Sequence, residues 1–128
     1  MAKTLIAEAE APFDADAFAQ GVTVSCHGAG LLHTAFSART LSLFSLMSAS
    51  ALPSYLSGLV IGEELRLQMP DATETRPGTD GEVVLIGSDS LTARYIQSLA
   101  LRGVQSRVLG SEATWAGLHA LAGALKTR

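Results

Sequence analysis

The stretch Glu82–Gly103, EVVLIGSDSLTARYIQSLALRG, reads as a strand, a turn and a helix in succession. Glu82–Ile86 is short, apolar and β-branched, the composition of a strand buried on both faces. Gly87 admits a sharp turn without a Cβ penalty. Ser88, Asp89 or Ser90 can cap the helix that follows, a contribution of about 1 kcal/mol. Leu91, Tyr95 and Leu99 form one apolar stripe along that helix, widened by Ile96, while Arg94, Gln97 and Arg102 face away. Gly103 closes it. Free N–H groups and the helix dipole converge at the carboxyl end of such a strand, where open α/β sheets gather ligands. A nucleotide, if this chain holds one, belongs at Gly87 and Ser88.

Downstream, Gln105–Leu109 reads as a second strand and Ser111–Leu125 as a helix capped by Ser111, with Glu112 suiting its positive end. Trp115, Leu118, Ala122 and Leu125 lie along one side of that helix, with His119 at the edge of the stripe. The carboxyl half is therefore β-α-β-α, with parallel strands joined by a right-handed crossover. The fold class that follows is α/β, a short parallel sheet with packed helices, in a single domain spanning 1–128.

Upstream, Met1–Pro12 reads either as a helix or as a loose start. Phe13–Gly21 predicts a short helix that begins near Asp14 and stops at Gly21, and Val22–His27 a brief strand or a loop. After Gly28-Ala29-Gly30, the run Leu31–Met47 carries Leu32, Phe36, Leu43 and Met47 near one helical face. Its one charged group, Arg39, either snorkels to water at a helix edge or helps to hold a carboxylate or phosphate. Ser50 is expected to cap a helix over Ala51–Leu67, with Pro53 in its first turn and Leu52, Leu56, Leu59 and Val60 towards the core. Gly58 and Gly62 stand four apart and share a face stripped of side chains, at a propensity cost of about 2 kcal/mol relative to alanine. Something must approach that face closely: another helix or strand, or a ligand ring. Glu63 and Glu64 read as the solvated end of the helix, and Gln68–Gly81 as a polar loop.

Of 128 residues, 48% are apolar and 16% charged, enough for one domain to bury a core. A net charge of −3 without a basic cluster argues against nucleic acid and for a small-molecule ligand. The one cysteine, Cys26, precludes an internal disulfide and suits a reducing cytoplasm. The amino terminus sets acids among its apolar residues, unlike a signal peptide. No charged residue stands between Arg39 and Glu63, yet several serines and Pro53 interrupt that span, so two buried helices are expected rather than a membrane crossing.

Cys26, His27 and His33 invite a zinc reading, but the remaining candidate, His119, has no paired spacing, so no metal site is assigned. Ser25 or Cys26 beside His27 suggests a nucleophile, yet adjacent residues rarely face each other and no orienting acid is evident. The aspartates are scattered, and Pro77-Gly78-Thr79 reads as an ordinary turn. No catalytic residue is assigned.

Four ordered segments carry a family resemblance: Phe36-Ser-Ala-Arg-Thr40, Tyr55-Leu-Ser-Gly-Leu-Val-Ile-Gly-Glu-Glu64, Val84-Leu-Ile-Gly-Ser-Asp-Ser-Leu-Thr-Ala-Arg-Tyr95 and Glu112-Ala-Thr-Trp-Ala-Gly-Leu118. Together they resemble the carboxyl-terminal lobe of 2-dehydro-3-deoxygalactonokinases, from about Phe13 onward. That resemblance implies one lobe of an actin-like, ribonuclease-H-like kinase. Such enzymes close two lobes around ATP and magnesium and phosphorylate the terminal hydroxyl of 2-keto-3-deoxygalactonate. It further implies that Gly87, Ser88 and Leu91 hold the adenosine, and that the helix bearing Gly58 and Gly62 packs beside the nucleotide.

The family's amino-terminal lobe carries an Asp-x-Gly-Ser/Thr phosphate loop, and no such segment precedes the first helices here. The expectation is half of a kinase: an excised domain, a truncated product or a subunit that needs a partner lobe. The alternative from another class is a non-enzymatic module that dimerises through the apolar face such a lobe would cover. A Rossmann-type dinucleotide binder is disfavoured, since Gly-Ser-Asp-Ser lacks the further glycines of that fingerprint.

Overall fold

The structure, a computed structural model, describes residues 12–69 and 82–126. The segment before Pro12 and the loop bearing Pro77-Gly78-Thr79 lie outside the described residues. Helices α1 (Ala15–Ser25), α2 (Leu31–Leu43) and α3 (Leu52–Gln68) are followed by strand β1 (Val83–Ile86), helix α4 (Asp89–Leu101), strand β2 (Ser106–Leu109) and helix α5 (Ser111–Lys126). The α/β class expected from the sequence is observed, with a two-stranded parallel sheet. The chain divides into two compact units, Met1–Asp71 and Ala72–Arg128.

The first unit is built on a backbone-to-backbone contact between α1 and α3. Asp14 starts α1, its carboxylate accepting from the Ala17 N–H at 2.9 Å, while its own N–H donates to Ser54 Oγ at 2.9 Å. One turn on, a Cβ placed on Gly58 would run into the Phe18 carbonyl oxygen. One turn further, a Cβ on Gly62 would overlap Ser25 Oγ and stand 3.0 Å from Val22 Cα. The contact is reciprocal, because a Cβ on Gly21 would meet the Tyr55 carbonyl and come within 2.9 Å of the Leu59 nitrogen. The pairs 14/54, 18/58 and 22/62 advance together, so the helices run parallel and touch once per turn.

Gly21 is therefore no helix stop. Glycine keeps helical backbone when its missing side chain is what a neighbour needs, and α1 continues to Ser25 where a strand or loop was expected. Phe18, Val22, Tyr55 and Leu59 are fully buried along this seam, each contributing about 1.5–3 kcal/mol.

Helix α2 departs further from its sequence reading. It ends at Leu43 rather than Met47, in a Schellman closure with Leu46 N–H on the Leu41 carbonyl at 2.8 Å and Ser45 N–H on that of Ser42 at 3.1 Å. The left-handed position of that closure falls on Ser45, at φ 53°. Leu32, Phe36 and Leu43 point outward, while Thr34 and Ala38 form the buried face and Leu31, Leu41 and Met47 pack on the core. Small residues let α2 lie close to its neighbours, and Thr34 buries its hydroxyl at no loss by donating to the Gly30 and Leu31 carbonyls.

At the start of α3 the cap position falls on Ala51, without a side-chain bond, and Ser50 instead pairs with the Ser48 hydroxyl. Leu52 and Leu56 pack on the core as expected, but Val60 turns outward. The charge-free span is broken between α2 and α3, and no helix among the described residues is long and apolar enough to cross a membrane.

In the second unit β1 and β2 pair in parallel with Ile86 level with Leu109. Burial along β1 alternates, leaving Val84 and Ile86 exposed, so the strand is covered on one face only rather than on both. Helix α4 buries Thr92, Ser98 and Leu99, with Leu91 and Ile96 outward instead of inward. Thr92 and Ser98 satisfy their hydroxyls on carbonyls of their own helix, Ser98 on Arg94 at 3.0 Å, which permits a polar buried face. Gly103 closes α4 as expected, at φ +70° with Val104 N–H on the Leu99 carbonyl at 3.0 Å. Helix α5 buries no residue, and Trp115, Leu118 and Leu125 are exposed where a covered stripe was expected.

Three stability outcomes follow from these glycine and serine positions. Gly58→Ala is expected to lower unfolding free energy by about 3 kcal/mol. Gly117→Ala, which meets nothing within 4 Å, is expected to raise it by about 0.5–1 kcal/mol; urea denaturation compares the two. Ser45→Gly relieves a left-handed residue and should add about 1 kcal/mol, read as a shift of the denaturation midpoint at unchanged slope.

Candidate functional site

Parallel register sets two strand-to-helix junctions side by side at the carboxyl edge of the sheet. Ile86 leads through Gly87 and Ser88 into α4, and Leu109 leads through Gly110 into α5. The junctions differ in what fills them. At the second, Glu112 folds back and accepts from the Gly110 N–H at 3.0 Å, so its carboxylate occupies the corner. The helix begins at Ser111, which is therefore its first residue rather than the cap before it.

At the first junction the cap residue, Ser88, makes no side-chain capping bond. Ser88 holds the extended cap conformation, φ −70° and ψ 150°, and its carbonyl accepts from the Leu91 and Thr92 amides at 3.1 and 2.9 Å. Thr92 braces the turn from beneath, its hydroxyl donating to Ser88 O at 3.0 Å and Asp89 O at 3.2 Å. The first-turn N–H groups point outward by helix geometry. Gly87, Ser88, Asp89, Ser90 and Leu91 are all exposed.

Gly87 does not adopt a positive φ, so the turn itself does not demand glycine. A Cβ there would meet only Thr92 Cγ2, at an ordinary 3.5 Å. The surface above Gly87 is open. Asp89 and Glu112 place carboxylates in both first turns, which disfavours phosphate at this edge and suits a hydroxyl-rich, uncharged group. Leu91 and Ile86 add apolar surface beside it.

The other sequence candidates lie in the first unit. The stripped face at Gly58 and Gly62 is filled by α1, so the close visitor there is a helix. Arg39 stands on the outer face of α2 with Leu32, Ala35 and Phe36, lining a shallow open depression. Ser25 is buried and its hydroxyl donates to the Val22 carbonyl at 2.6 Å, which removes it as a nucleophile candidate. Cys26 Sγ turns back to the Val22 carbonyl at 3.3 Å, and His27 Nδ1 lies 3.0 Å from the Thr23 carbonyl. Among the described residues no three of His, Cys, Asp and Glu gather in a metal-binding cluster.

The family scan decides the lineage: the model for 2-keto-3-deoxy-galactonokinase matches residues 2–121. The chain belongs to this family. No curated protein and no solved structure matches it significantly. The match to the 2-keto-3-deoxy-galactonokinase family spans both units.

Two charged pairs escaped the sequence reading, an exposed one in which Arg107 donates to Glu82 at 3.2 Å and a more buried one. Glu63 is buried rather than solvated, and Arg66 grips its carboxylate through two bonds, 2.7 and 2.9 Å. The i,i+3 spacing of an acid before a base was the available signal. These hydrogen bonds hold the Glu63 carboxyl below its ordinary range, partly opposed by desolvation, and hold the Arg66 guanidinium above its own. A carboxyl depressed by folding stabilises above its unfolded value, about 4.3 for glutamate, and that stability fades as pH falls through the lower folded value. Thermal unfolding of wild type and Arg66→Met should therefore differ at pH 7 and converge as acid takes the Glu63 carboxyl through its lowered folded value.

Proposed function

We propose that this member of the 2-keto-3-deoxy-galactonokinase family is the ATP-binding lobe of a sugar-acid kinase, acting in the cytoplasm on 2-dehydro-3-deoxygalactonate. The adenosine rests at the junction after β1, against Gly87, Ser88 and Leu91. The observation that supports this reading is the exposed corner where Ser88 makes no side-chain capping bond and where, among the described residues, a Cβ on Gly87 would meet only Thr92 Cγ2. First-turn amides of α4 would donate to acceptor atoms of the nucleoside, the Asp89 carboxylate would accept from its ribose hydroxyls, and Leu91 would pack on its base.

ATP, when bound, supplies the phosphoryl group. This chain's residues hold and orient the nucleoside. Magnesium would accompany the nucleotide, held chiefly by the ATP phosphates and water, and no step is assigned to it here. Arg39 is the guanidinium we assign to a substrate carboxylate. Gly58 and Gly62 we assign to helix packing, since α1 occupies their face. A phosphate cradle and catalytic base belong, in this reading, to a partner lobe.

The second reading, a dimerising module without enzymatic activity, is favoured by the bare apolar side chains of α2 and α5.

In an NMR titration with ATP, shifts are expected to centre on Gly87–Leu91. Gly87→Val should abolish them while leaving the unfolding free energy within about 0.5 kcal/mol of wild type. Shifts confined to other residues would remove the assignment. Sedimentation separates the two readings: a dimer indifferent to ATP supports the module, and a nucleotide-binding monomer supports the kinase lobe.

A further inference from the structure

We draw no further inference here: the strongest candidate, the bare apolar stripe of Trp115, Leu118 and Leu125 along helix α5, already belongs to the dimerising reading above, and nothing in the structure shows what covers it.

Discussion

Helices α1 and α3 meet through their main chains, and the architecture of the first unit rests on that contact. Carbonyl groups of Phe18 and Tyr55 sit where side chains would otherwise stand, because Gly58 and Gly21 leave the space. The arrangement has a propensity cost of about 1 kcal/mol for each helical glycine. Burial of Phe18, Val22, Tyr55 and Leu59 along the same seam outweighs it. Helix α2 then needs only a narrow inward face of small residues, which frees its larger apolar side chains to point outward.

The second unit obeys a different constraint. Parallel pairing levels the carboxyl ends of β1 and β2, so both following helices begin at one edge of the sheet. Glu112 closes one of the two corners from within the chain, whereas Ser88 leaves the other without a side-chain cap. An inward-folded carboxylate and an uncapped helix start, side by side, make this edge asymmetric.

Much of this was legible in the residues. The β-α-β-α order, the Gly103 closure and the close approach at Gly58 and Gly62 follow from local patterns that tertiary packing did not overrule. The inward faces were not legible where small residues do the packing. On α2 the period of Leu32, Phe36 and Leu43 marks an outward stripe, because Thr34 and Ala38 allow closer approach than leucine would. On α4 the same inversion occurs at Thr92 and Ser98, whose hydroxyls are satisfied within the helix. Glycine misled at Gly21, which reads as a stop but is a contact point inside α1. The corner at Gly87 could be located from sequence, but its openness depends on the absence of a returning side chain, which no local pattern encodes.

The turn-by-turn meshing of α1 and α3 also limits how this protein can change in length. Adding or deleting one residue inside either helix rotates everything beyond it by about 100°, swinging side chains into the seam that the glycines keep clear. Length changes between the helices leave the meshing intact. Across relatives of this chain, insertions should therefore collect outside Ala15–Ser25 and Leu52–Gln68, with the spacing from Gly58 to Gly62 held constant.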